Sequence, residues 1–100
     1  MDVLFEVRSR TSFGEAMYIV GSVPSLGSWD TTAAIRLNAE GYTEDNPVWK
    51  GTVSLAIGTD VQYKFIKLGR DGGFTWETDP NRQFAVPTDC DANPVQSGTW

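Results

Sequence analysis

Eight short apolar runs, each bounded by turn residues, are the feature that most restricts the fold of this chain. "DVLFEVRS" alternates, with Val3, Phe5 and Val7 on one face and Leu4, Glu6 and Arg8 on the other. "EAMYIVGS" is denser and predicts a strand covered on both sides, and "AIRLNA" is short and alternating. "VWKGTVSLAI" places Trp49, Gly51, Val53 and Leu55 on one side, and "DVQYKFIKL" does the same for Val61, Tyr63 and Phe65. "FTWE", "RQFAV" and "PVQSGTW" complete the series. An alternation of period two is the mark of a half-buried strand, and no segment holds a helical period over eleven residues. "PSLGSWD", "EDNP", "IGTD", "GRDGG" and "TDPN" supply the turns, and Asp71-Gly72 suits a hairpin because glycine accepts positive φ. The pattern predicts an all-β, immunoglobulin-like antiparallel β-sandwich of seven or eight strands with Greek-key connections, in one domain over residues 1–100.

Charge and residue usage exclude several function classes. The net charge is −5, and the eight basic residues are scattered along the chain without a basic stripe. Nucleic acid and anionic membrane surfaces are therefore not expected partners, and a neutral ligand fits best. No run approaches the roughly 18 apolar residues of a membrane span. The residues after Met1 do not read as a signal peptide, and Met1 is expected to be the start of a piece excised from something longer. The chain has no histidine, which removes the usual general base and the usual metal ligand, so no metal or cofactor is expected. Its one cysteine, Cys90, has no partner for an internal disulfide.

Four tryptophans exceed what so small a core needs. Trp29, in "LGSWDTT", and Trp76, in "FTWETDPNR", sit in polar surroundings. The bland reading is that each caps the edge of the core. The functional reading is a flat apolar face offered to a ligand, and sugars suit such a face because the C–H groups of a pyranose lie against an indole. Hydroxyls at the sugar rim need groups that donate and accept, which Lys64, Glu77 and Asn81 supply. Strand parity turns Lys64 away from Tyr63 and Phe65 and so predicts that it reaches solvent. Phe13 and Tyr42 lie in loops and are expected to be exposed, whereas the parity of Trp49 favours the core. Glu77 and Asp79 are close in sequence and Asp30 is a third acid that could approach them, so paired glycosidase carboxylates are conceivable, but a sandwich of this size has no deep cleft to raise one pKa, and no enzyme is expected.

Taken together and in order, "IVGSVPSLGSWD", "YKFIKL" and "WETDPNRQFAVP" resemble the starch-binding domains of the family 20 carbohydrate-binding modules, as in fungal glucoamylases and related secreted enzymes. The resemblance runs from about residue 3 to Trp100. It implies a β-sandwich without catalysis of its own that binds starch, maltooligosaccharides and cyclodextrins at two surface sites. It implies a covalently attached catalytic domain in the parent chain, secretion, and a monomer. Carried over by residue, the first site falls on Trp29 and Trp76 as stacking platforms, with Lys64, Glu77 and Asn81 as hydrogen-bonding partners. The second falls on Phe13, Tyr42 and Trp49, with Glu40 and the neighbouring Ser12, Gly14 and Glu15. Phe13 stands where relatives carry tyrosine, so a hydroxyl is lost there, and Glu40 stands where they often carry aspartate. The resemblance also implies that Cys90 pairs with a cysteine ahead of the first strand, which this chain lacks. The alternative from another class is a protein-interaction sandwich, which would show a contiguous apolar patch.

Overall fold

The computed structural model describes residues 1–11, 14–77, 81–88 and 94–100. Eight strands form among them: β1 (Asp2–Arg8), β2 (Ala16–Gly21), β3 (Ile35–Arg36), β4 (Val48–Ser54), β5 (Asp60–Leu68), β6 (Phe74–Trp76), β7 (Arg82–Ala85) and β8 (Val95–Thr99). They build two sheets. One has the order β4-β1-β8; the other runs β3-β2-β5-β6, with β7 also paired to β5. Every run read as a strand in the sequence is one, and the architecture is the expected sandwich.

The alternating residues meet between the sheets. Val3, Phe5 and Val7 from β1 pack with Met17, Ile19, Val53, Val61, Tyr63 and Phe65, all buried. Phe5 and Tyr63 meet edge to face at 5.1 Å, an arrangement the ring quadrupoles favour. The strand β2 is covered on both faces, as its density predicts: Ile19 and Val20 are neighbours in sequence and both are fully buried. The Asp71-Gly72 turn forms as expected, with Gly72 at φ 86° and its N–H donating to the carbonyl of Gly69.

One pairing departs from the antiparallel pattern. β1 and β8 run parallel, with Leu4 opposite Val95 and Arg8 opposite Thr99. Chain ends that pair in parallel cannot be joined by a hairpin, so no local turn signal announces this register.

A second feature positions the candidate site. β6 and β7 lie end to end along the same edge of β5: β6 covers Ile66 to Leu68, and β7 covers Asp60 to Tyr63. The gap between them would leave the Phe65 N–H without a ladder partner, which is costly for a buried amide. The Glu77 Oε1 atom accepts that N–H at 2.9 Å, and the Glu77 N–H donates back to the Phe65 carbonyl at 3.3 Å. A side chain thus completes the ladder where the edge strand leaves the sheet.

Candidate functional site

Trp29 and Trp76 come together from opposite parts of the chain. Their ring centroids are 6.4 Å apart, with the planes tilted by 37°. Trp76 pairs with Ile66 in the β5–β6 ladder, so it stands on the outer face of the five-stranded sheet, away from Phe65 and Tyr63. It is 41% exposed. Trp29 reaches it through a 3-10 segment, Pro24–Trp29, whose Leu26 is buried as an anchor.

Trp29 is held under strain. Gly27, Ser28 and Trp29 are successively left-handed, at φ 81°, 49° and 66°. For the two residues that carry a Cβ this conformation costs roughly 1–2 kcal/mol each. Gly27 permits the turn, and a Cβ there would lie 2.8 Å from the Ala33 carbonyl oxygen. Strain of this kind survives where surrounding structure imposes it, and it points toward a use for the side chain so placed.

Asp30 closes the segment. Its Oδ1 accepts from the Thr32 hydroxyl at 2.7 Å and the Thr32 N–H at 2.9 Å. These bonds hold its carboxyl below the ordinary carboxylate pKa. A depressed folded-state pKa means that the contribution is complete above the unfolded value, about 3.9, and is lost as pH falls through the lower folded value. We expect the exciton band of the Trp29–Trp76 pair in circular dichroism to weaken as pH falls below the ordinary carboxylate range. Asp30→Ala should show the weakened band already at neutral pH, and an unchanged band in that variant would refute a positioning role for Asp30.

Around the indoles the structure corrects two expectations. Lys64 does turn away from the core, but it is only 8% exposed, and its Nζ donates to the Glu77 carbonyl at 3.4 Å. Parity sets the face of a strand residue, not what lies over that face. Glu77 was expected to read sugar hydroxyls with its carboxylate. That carboxylate is turned inward and the side chain is 12% exposed. Arg82 grips it with two parallel bonds, Nε to Oε1 at 2.8 Å and Nη2 to Oε2 at 2.9 Å, while Phe65 N–H takes the remaining side of Oε1. The pairing holds Arg82 above its ordinary pKa, chiefly through the Glu77 hydrogen bonds. Glu77 therefore fixes the end of β6, one residue from Trp76. Asn81 is half-buried beside this cluster and donates to Gln62 Oε1 at 3.0 Å.

Arg82 is a residue that sequence reading passed over. The signal was available, since Glu77 and Arg82 flank the turn-rich "TDPN" at a spacing that lets a loop bring them together. Gly98 makes room for it, because a Cβ there would lie 2.6 Å from an Arg82 nitrogen.

The second cluster lies beside the other sheet. Tyr42 and Trp49 meet edge to face at 6.2 Å. Both hold Thr11: the Tyr42 hydroxyl accepts from its N–H at 3.2 Å, and Trp49 Nε1 donates to its hydroxyl at 3.3 Å. Trp49 sits opposite Val7 and is 7% exposed, so its ring packs in the core, as parity favours, and does not form an open platform. Tyr42 is half-buried, Glu40 and Gly14 are exposed, and Glu15 is half-buried. Ser12 and Phe13 lie outside the described residues, as do Asp79 and Cys90.

Among the described residues no cluster of acids or Cys could hold a metal ion. Of the acids weighed for glycosidase chemistry, Glu77 is tied to Arg82 and Asp30 is stabilised in its ionised form.

Known proteins share this sequence and fold. The model of the starch binding domain family matches residues 1–96. An AA13 family lytic polysaccharide monooxygenase A from Aspergillus terreus is 48% identical over 88 residues, covering 88% of this chain and 22% of that protein. A glucoamylase from Neurospora crassa is 38% identical over 98 residues, covering 98% of this chain and 16% of that protein. The chain thus spans about a fifth of the length of these relatives. Among solved structures, the glycoside hydrolase family 15 glucoamylase from Hypocrea jecorina superposes with a TM-score of 0.93 at 41% identity, over 99% of this chain and 17% of that one. The family 20 CBM of the maltotetraose-forming amylase from Pseudomonas saccharophila superposes with a TM-score of 0.80 at 27% identity, over the full length of both chains.

Proposed function

Because this chain belongs to the starch-binding domain family of carbohydrate-binding modules, we propose that it is a non-catalytic module with two surface sites for α-1,4-glucan. In this reading it acts as a monomer and carries an attached starch-active catalytic domain to granules outside the cell. The observation that carries the proposal is the pair of indoles, Trp29 and Trp76, side by side and tilted by 37°. Successive glucose units of an α-1,4 chain are not coplanar, because the linkage curves the chain. Two tilted rings meet two successive sugar faces better than a flat platform would.

Lys64 and Asn81 supply polar groups at the rim of this first site, and Glu77 acts by fixing the strand end that presents Trp76. Tyr42 supplies the stacking ring of the second site, backed by Trp49, with Glu40 exposed beside it, and Phe13, Ser12, Gly14 and Glu15 are assigned to the same site. Each shallow contact buries little and binds weakly, so two sites on one granule add avidity without new contacts.

A titration with β-cyclodextrin followed by NMR tests both sites. Amide and indole signals of Trp29, Lys64, Trp76 and Asn81 should move together, and those of Tyr42 and Glu40 should form a second group. Shifts confined to residues outside both groups would defeat the proposal. So would starch adsorption that maltoheptaose cannot displace.

A further inference from the structure

The open side of the sandwich, where the edge β6 of one sheet faces the edge β8 of the other, carries an aromatic residue assigned to neither site. Trp100 follows β8 and is 37% exposed. Its N–H donates to the Arg8 carbonyl at 2.9 Å, which fixes its backbone to the end of β1. Lys67 Nζ lies 5.2 Å from the ring centroid and donates to the Arg10 carbonyl at 3.4 Å. One face of the indole is therefore set by a cation, and the exposure falls on the rest of the ring.

Two grooves meet at this ring. One, of about 330 Å³, runs between Trp76 and Trp100 and is floored by Thr75, Glu77 and Thr99. The other, of about 460 Å³, runs on from Trp100 past Lys67, Arg10 and Pro47. Thr99 and Trp100 belong to both, so the two grooves adjoin. The far groove is lined by Arg10, next in sequence to Thr11, the residue held by Tyr42 and Trp49. Aromatic rings thus stand at the start and the middle of this path, at Trp76 and Trp100. Exposed Thr75, Thr99 and Arg10 between them offer hydroxyl and guanidinium groups to sugar hydroxyls.

We propose that Trp100 is a third stacking platform, and that a linear α-glucan chain leaving Trp76 continues over it into the groove past Lys67 and Arg10. The proposal rests on the reading of Trp29 and Trp76 as the first site. It gives this module a preference for long linear chains that a ring-shaped ligand cannot express, because a closed ring seated on Trp29 and Trp76 does not extend along the groove.

The test compares β-cyclodextrin with linear maltooligosaccharides of increasing length, by calorimetry on the parent chain and on Trp100→Ala, Trp100→Phe and Trp76→Ala. Trp100→Ala should weaken binding of the longest linear ligand about tenfold, leave β-cyclodextrin affinity within about twofold, and abolish the gain in affinity with length. Trp100→Phe, which keeps a ring, should recover most of that gain. Thermal melts should show each Trp100 variant as stable as the parent, since the backbone bond to Arg8 is kept. Unchanged affinity for the long ligand in Trp100→Ala would overturn the proposal, and so would an equal loss for both ligands. Trp76→Ala separates the two readings: if it binds β-cyclodextrin like the parent, the first-site assignment fails, whatever Trp100 does.

Discussion

Trp76→Ala should raise the dissociation constant for β-cyclodextrin by about thirtyfold, equivalent to about 2 kcal/mol, while the melting temperature barely moves. The size of the effect follows from the ring's position. Trp76 is partly exposed and is half of a pair whose centroids are 6.4 Å apart, so removing it leaves Trp29 without the second face. Trp29 allows a sharper version of the experiment. It sits at φ 66°, where a residue with a Cβ is strained and glycine is not. Trp29→Gly should therefore lose binding as fully as Trp76→Ala while keeping or raising stability. A variant that loses function and gains stability is the signature of strain kept for a purpose. A Trp29→Gly variant that binds normally would remove Trp29 from the site, and one that melts far below the parent would show that the indole is a core residue.

The second large effect concerns Glu77. Glu77→Ala should lower stability by about 2 kcal/mol, seen as a fall in melting temperature of about 10 °C in a domain of this size. It strands the Arg82 guanidinium and leaves the Phe65 N–H without an acceptor in the gap between β6 and β7. The figure is set below that for a fully buried pair because Arg82 keeps some contact with water. Affinity for cyclodextrin should fall together with stability, since the end of β6 carries Trp76. Glu77→Gln keeps an acceptor for Phe65 and should recover part of both. If instead affinity falls while the melt is unchanged, Glu77 touches the glucan directly. The raised pKa of Arg82 means that its share of this stability is complete below the ordinary arginine value and is lost only as pH rises through a still higher one. Alkaline titration in the usual range should leave the pair intact.

Much of the fold could be read from period-two alternation, because each sheet has one face in a common core. The same rule turned Lys64 to the correct side and still misjudged its burial. Alternation is a property of one strand, whereas the Lys64 ammonium is held by the carbonyl of Glu77, the residue that follows β6. The convergence of Trp29 and Trp76 was suggested by polar surroundings, yet the three left-handed residues that swing Trp29 into place have only Gly27 as a local signal. The inward turn of Glu77 was hidden because a carboxylate in a polar loop looks solvated until the missing rung on β5 is seen. Trp100 was the least legible residue. It ends a polar run much as Trp76 begins one, but its importance comes from the parallel pairing of β8 with β1, a contact between the two ends of the chain.

That parallel pairing has a directional consequence. Met1 is hydrogen-bonded to Leu55 at one pole of the sandwich, and Trp100 is hydrogen-bonded to Arg8 at the other. Trp76 shares a groove with Trp100 at that pole, and Tyr42 is hydrogen-bonded to Thr11, three residues beyond Arg8. In the proposed reading, a catalytic domain attached on the Met1 side would hang from the pole opposite Trp100. Adhesion and chemistry would then be kept apart by the body of the sandwich, and the reach and stiffness of the tether would determine which chains the enzyme can attack.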